Sequence, residues 1–211
     1  MKLPKKIKVC GMKHLGNIKA VAELSIDYMG FICYPKSARY VKQPLPLSPS
    51  VQNVGVFVNE ETEVLLQKAE EFGFDAVQLH GNETADTCQY LRDKNLYVFK
   101  AFGIDDEFDW TILDAYLDRT DVLLFDTKSP QHGGTGQTFN WEKLKEYPYD
   151  KPYFLSGGLS LENIGQAAQF EDERMIGLDL NSKFEIEPGL KDINLLTQAL
   201  KIVKNEQIPS K

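Results

Sequence analysis

Eight short apolar runs recur along the chain, and their spacing constrains the fold more than any single motif. They occupy residues 7–11, 28–34, 54–59, 76–81, 96–102, 122–126, 153–155 and 175–182. Segments with helical chemistry separate nearly all of them. Residues 17–24 place Ile18, Val21, Ala22 and Leu24 on one helical face. Residues 62–72 open on Thr62 as a cap and keep Val64, Leu65, Lys68 and Ala69 in phase. Further helices are expected over 84–94, over 110–117 behind Asp109, over 161–170 behind a Ser160 cap, and over 190–204. Strict alternation of strand and helix implies parallel strands joined by crossover helices. Eight such units in 211 residues is close to the smallest closed (β/α)8 barrel.

One interval breaks the pattern. Residues 35–53 carry Pro35, Pro44, Pro46 and Pro49 and show no amphipathic period. They predict a long loop with at most one helical turn where the second crossover helix would sit. The expected fold class is therefore α/β: a single (β/α)8 TIM barrel over residues 1–211 with a weak or missing second helix, and a frayed tail at 205–211. A doubly wound open sheet is the alternative. It usually has fewer strands and a glycine-rich loop after the first strand. Cys10-Gly11-Met12-Lys13 lacks that loop, and the glycine pair Gly157-Gly158 instead follows the seventh run. This favours the barrel, whose phosphate site is usually built by the loops after strands seven and eight.

An apolar content of 42% without a Ser/Gly linker fits one core. A net charge of −7 argues against nucleic acid and against an anionic membrane surface as partners. An anionic small molecule stays compatible, provided an Arg, a Lys or a helix N-terminus supplies local positive potential. Only four arginines exist, Arg39, Arg92, Arg119 and Arg174, so the place of each matters. Cys10, Cys33 and Cys88 form an odd set without CxxC spacing, which suggests neither a disulfide framework nor a zinc cage. No apolar stretch follows the basic N-terminus, and no run reaches membrane-spanning length. With free thiols, this predicts a cytoplasmic setting. Monomer and homodimer both remain open.

A closed parallel barrel gathers every strand C-terminus on one face. Read in turn, those ends carry Cys10, Tyr34 with Lys36 and Arg39 beyond it, Asn59, His80, Asp126, Gly157-Gly158 and Asn181-Ser182. The loop after Asp126 adds Gly133-Gly134-Thr135-Gly136. One thiol, one carboxylate, one loop arginine and phosphate-type glycine loops would share a mouth. No grouping of histidines and carboxylates suggests a metal site. The simplest chemistry is a metal-free acid/base pair acting on a phosphorylated small molecule.

Several segments, in order, resemble phosphoribosylanthranilate isomerases. They are Lys8-Val9-Cys10-Gly11-Met12, Gly30-Phe31-Ile32-Cys33-Tyr34-Pro35-Lys36-Ser37-Ala38-Arg39, Val54-Gly55-Val56-Phe57-Val58-Asn59 and Gln78-Leu79-His80-Gly81. Phe125-Asp126, Gly133-Gly134-Thr135-Gly136, Leu155-Ser156-Gly157-Gly158-Leu159 and Leu178-Asp179-Leu180-Asn181-Ser182 continue the series, with Glu185, Pro188-Gly189 and Lys191-Asp192 after them. Each is weak alone, and the ordered set is specific. The resemblance implies the third step of tryptophan biosynthesis, an Amadori rearrangement of N-(5'-phosphoribosyl)anthranilate to 1-(2-carboxyphenylamino)-1-deoxyribulose 5-phosphate. It implies Cys10 as general base, Asp126 as general acid and Arg39 as the group that meets the anthranilate carboxylate. It also implies phosphate binding by Gly157, Gly158, Asn181 and Ser182. No cofactor is implied, because the substrate's own imine is the electron sink. Ala38 stands where the family commonly has Pro, Cys33 replaces a usual aromatic, and Lys183 sits where Gly is common.

The residue types suit that chemistry. Asp126 would protonate the furanose oxygen if burial or a nearby anion keeps its proton on. Cys10 would take the C2' proton as a thiolate, which calls for help from helix N-termini or Arg39. Seen singly, each residue has a plainer reading. A buried Cys usually packs, a loop Arg is usually a solvated charge, and His80 is expected to hydrogen-bond a neighbouring loop rather than touch substrate. Cys33 and Cys88 read as structural; His14 and His132 receive no role. Two rivals remain. A metal-dependent sugar-phosphate epimerase would need more ligands than His80 and Asp126. A non-catalytic metabolite sensor would need neither Cys10 nor Asp126.

Overall fold

Strands β1 (Lys6–Cys10) and β8 (Met175–Leu180) pair in parallel from Lys6↔Gly177 to Val9↔Leu180, closing eight strands into a barrel. The computed structural model describes residues 4–128 and 138–204. Between the closing strands lie β2 (Tyr28–Ile32), β3 (Gln52–Phe57), β4 (Ala76–Leu79), β5 (Tyr97–Ile104), β6 (Val122–Thr127) and β7 (Tyr153–Leu155). Each pairs in parallel with its sequence neighbours. This is the expected TIM barrel. The glycine loop Gly133-Gly134-Thr135-Gly136, His132 and the tail 205–211 lie outside the described residues.

Among the described residues, five α-helices cover the barrel: α1 (Leu15–Ala22), α2 (Thr62–Phe72), α3 (Ala85–Asp93), α4 (Ile164–Gln169) and α5 (Ile193–Val203). The second crossover is helix-free, as its prolines require. Residues 33–51 cross the surface as turns, touching the sheet at one bridge, Ile32↔Tyr40. The crossovers after β5 and β6 are 3-10 helices, Trp110–Tyr116 and Trp141–Glu146. Their wall-facing residues recur every third position: Trp110, Leu113 and Tyr116, then Trp141, Leu144 and Tyr147. A helix with three residues per turn lines such a set up on one side. Asp109 and Asn140 start these turns by accepting from the amides of Thr111 and Glu142, at 3.0 and 3.2 Å.

Four helix starts differ from expectation. Helix α1 begins at Leu15, not at 17. Thr62 is the first helical residue rather than a cap, with Glu61 in the cap position. Helix α4 begins at Ile164, not at 161, because Asn163 folds back: its Oδ1 accepts from Ser160 N at 2.8 Å and its Nδ2 donates to Gly158 O at 3.0 Å. Helix α5 begins at Ile193, not at 190. Asp192 caps it by accepting from the amides of Asn194 and Leu195. Leu190–Lys191 instead forms β10, antiparallel to β9 (Glu185–Glu187).

The barrel interior is packed. Tyr28, Phe99 and Phe154 meet edge to face with centroids 5.3, 5.6 and 5.5 Å apart. Val54, Ala76 and Leu124 fill around them. Such ring pairs contribute about 0.5–1.5 kcal/mol each beyond area burial. This plug closes the barrel axis, so ligand access is from the C-terminal mouth. At the opposite end, Tyr153 donates to Asp172 at 2.9 Å, and Arg174 donates to both oxygens of the same carboxylate at 2.8 and 2.9 Å. None of the described helices is long and apolar enough to cross a membrane.

Candidate active site

Cys10 ends β1 with its side chain turned into the mouth, 4% exposed. Its sulfur rests against Gly30 of β2. A Cβ on Gly30 would lie 2.7 Å from Sγ, so any larger residue would displace the thiol. Burial pushes the thiol's pKa up, and Asp179 adds to that rise. The ammonium groups of Lys8 and Lys191 pull in the other direction. Two lysines therefore act on this thiol where the sequence suggested helix N-termini or Arg39.

Asp126, at the end of β6, is 7% exposed. Its Oδ1 accepts from Thr127 N at 2.8 Å, and its Oδ2 lies 3.2 Å from His80 Nε2. The other ring nitrogen of His80 is 2.7 Å from Gln78 Nε2. The Gln78 amide can donate to Nδ1, which leaves Nε2 on the side of the ring that faces Asp126. His80 thus sits between Gln78 and the Asp126 carboxylate. Gly157, at φ +88°, sits directly against this pair. A Cβ there would stand 2.4 Å from Thr127 Oγ1 and 2.7 Å from Asp126 Oδ1.

Arg39 reaches across from the loop after β2. Its Cδ lies 2.6 Å from where a Cβ on Gly11 would be, immediately beside Cys10. Glu185 holds the guanidinium: Nε donates at 2.9 and 3.0 Å, Nη2 at 2.6 Å. Lys191 donates to the same carboxylate at 2.6 Å and to Asn181 Oδ1 at 2.8 Å. Burial raises the Glu185 carboxyl, but hydrogen bonds from Arg39 and Lys191 outweigh it and hold the group below its ordinary range. Arg39 is thus a braced cation rather than a loose surface charge.

Gly158, also left-handed at φ +62°, opens onto a cleft shared with Ser160, Asn163 and Lys183. Ser182 begins a short 3-10 turn, Ser182–Phe184, after β8. The exposed Lys183 therefore faces the same cleft as Gly158. The start of α4 borders it too, through its cap residue Asn163.

The mouth brings Cys10, Arg39, His80, Asp126, Gly157 and Asn181 together. It also recruits Lys8, Asp179, Glu185 and Lys191, which sequence reasoning had left without roles. The signal for Lys8 was period-two alternation: residues 8 and 10 of one strand share a face. Cys33 and Cys88 lie outside the mouth; burial pushes each thiol up to about 12. Among the described residues, no three His, Cys, Asp or Glu side chains gather as a metal site.

Residues 7–202 match the family model described as N-(5'-phosphoribosyl)anthranilate (PRA) isomerase. The chain is 46% identical, over 187 residues, to the N-(5'-phosphoribosyl)anthranilate isomerase of Phocaeicola vulgatus, covering 88% of this chain and 91% of that one. The phosphoribosyl anthranilate isomerase of Thermotoga maritima superposes with a TM-score of 0.81 at 34% identity, over 95% of this chain and 99% of that one. A phosphoribosyl anthranilate isomerase in complex with reduced 1-(o-carboxyphenylamino)-1-deoxyribulose 5-phosphate also superposes at 0.81, with 32% identity and the same coverage.

Proposed function

Because the chain belongs to the N-(5'-phosphoribosyl)anthranilate isomerase family, we propose that it converts N-(5'-phosphoribosyl)anthranilate to 1-(2-carboxyphenylamino)-1-deoxyribulose 5-phosphate. The reaction would serve tryptophan biosynthesis in the cytoplasm, carried out by a monomer or a homodimer. The observation that carries the reading is a thiol and a carboxylate at one barrel mouth, Cys10 ending β1 and Asp126 near the end of β6.

Asp126 gives a proton to the ring oxygen, and the C1'–O bond breaks to leave a Schiff base. The Cys10 thiolate then takes the C2' proton, whose electron pair moves into the imine and leaves an enolamine. Tautomerisation gives the ketone. His80 Nε2 lies 3.2 Å from the Asp126 carboxylate and so orients the acid. Arg39 receives the anthranilate carboxylate, since a braced guanidinium suits a planar anion. The phosphate binds at Gly157, Gly158, Asn181 and Ser182. The cleft beside Gly158 supports this, and Lys183 adds positive charge there.

Turnover of N-(5'-phosphoribosyl)anthranilate by the purified chain tests the function, with product read by its absorbance and mass. Product should form after exhaustive chelation. Binding without turnover would favour the sensor. Loss on chelation with recovery on adding a divalent metal would favour the epimerase-type site.

A further inference from the structure

Lys8 is fully buried inside the barrel, two residues before Cys10 on the same strand face. A lysine ammonium in such a place is costly unless paired. Asp179 pairs it: the two residues are register partners across the β1–β8 seam, with Nζ 3.0 Å from each carboxylate oxygen. An ammonium has three N–H donors. Asp179 takes two, which leaves one for the inward groups above, where Cys10 stands.

The charges facing the thiol can be counted. Lys8 comes from β1, Lys191 from β10 and Arg39 from the loop after β2. Against these three cations stand two carboxylates, Asp179 on β8 and Glu185 on β9. Asp126 and His80 act on Asp179 from β6 and the end of β4. Arg39 and Lys191 are both committed to Glu185. The five supporting groups carry one surplus positive charge. Either a thiolate at Cys10 or a carboxylate at Asp126 neutralises it, and the reaction needs the thiolate with Asp126 protonated.

We propose that Lys8 is the cation that holds the Cys10 thiolate, with Asp179 fixing the ammonium beneath the sulfur. Lys8 is then a positioning residue for the base, a role that rests on reading Cys10 as the base. Its chemical consequence is separate from turnover. The rate of Cys10 alkylation by iodoacetamide against pH, followed by mass spectrometry of the Cys10 peptide, reports the thiolate directly.

Three variants suffice: Lys8→Gln, Asp179→Asn, and both together. The alkylation midpoint should rise by roughly 1–3 pH units in Lys8→Gln, the range for losing a nearby opposite charge, and should fall in Asp179→Asn. Turnover by Lys8→Gln should drop at neutral pH and recover as pH rises through the new midpoint. A purely structural lysine would show no such recovery. If Lys8→Gln alone does not fold, the double variant carries the test, because it leaves neither charge unpaired; its midpoint should still lie above wild type. An unmoved midpoint in either folded variant that lacks Lys8, or single variants that shift in the same direction, would overturn the proposal. Alkylation reads the thiol whether or not it is the base, so failure of the base assignment shows separately, in turnover by Cys10→Ser.

Discussion

His80 Nε2 lies 3.2 Å from Asp126 Oδ2, while Gln78 Nε2 lies 2.7 Å from the opposite ring nitrogen. The imidazole thus stands between the Gln78 amide and the proposed acid. Removing the ring should cost the acid its geometry and leave the substrate pocket intact. His80→Ala should lower kcat by roughly 10–100-fold, the equivalent of one charge-assisted hydrogen bond, with KM little changed. Unchanged kcat would mean that Asp126 does not need His80.

Arg39 and Glu185 form a second testable unit. Glu185 braces the guanidinium from beneath while its own side chain is 4% exposed. Arg39→Ala should raise KM by roughly tenfold or more with a smaller effect on kcat, and it should weaken only those product analogues that carry the aromatic carboxylate. Glu185→Gln should give the same pattern at smaller amplitude. Equal loss of affinity for an analogue lacking the carboxylate would place Arg39 elsewhere on the substrate.

The two adjacent glycines should fail in different ways. Gly157→Ala pushes a methyl against Asp126 and Thr127, so kcat should fall more than affinity. Gly158→Asp puts negative charge into the cleft proposed for phosphate, so binding should be lost while the fold survives. Calorimetry with a product analogue, beside steady-state kinetics, separates the two. Wild-type affinity in folded Gly158→Asp would refute the phosphate placement.

The far end of the barrel supplies a stability prediction without a catalytic one. Burial raises the Asp172 carboxyl, but the Arg174 guanidinium and amide and the Tyr153 hydroxyl outweigh it and hold the group low. A depressed native pKa stabilises the fold above the unfolded value of about 3.9, and that contribution is lost as pH falls through the native value. Asp172→Asn should therefore cost about 1.5–3 kcal/mol at neutral pH, with the gap to wild type narrowing below about pH 4, and with kcat unchanged. Denaturant midpoints across pH check this. A gap independent of pH would remove Asp172 from the acid response.

Much of this was legible in the residues. Strand ends such as Asp126 and Gly157-Gly158 announced themselves because apolar runs stop on them, and the prolines of 35–53 argued for a long loop with at most one helical turn there. The 3-10 helices were harder to see. Trp110, Leu113 and Tyr116 satisfy an α-helical template at low resolution, and only their strict spacing of three distinguishes them. The charges around the thiol were hidden for a different reason. Lys8 and Asp179 are 171 positions apart, and only barrel closure makes them neighbours. Helix starts at Ile164 and Ile193 moved because Asn163 and Asp192 use their side chains locally, a choice that apolar periodicity does not report.

Turnover by folded, ligand-binding Cys10→Ser and Asp126→Asn tests the acid/base assignment most directly. The hydroxyl that Cys10→Ser introduces is far too basic to replace a thiolate, and Asp126→Asn keeps size and hydrogen bonding without an acidic proton. Each should lower kcat by roughly 10²–10⁴ with substrate affinity largely kept. The double variant should lose less than the product of the single losses, as residues acting in one step do. Retention of more than about a tenth of wild-type kcat in either single variant, a smaller loss than removal of a general acid or base produces, would contradict that residue's role.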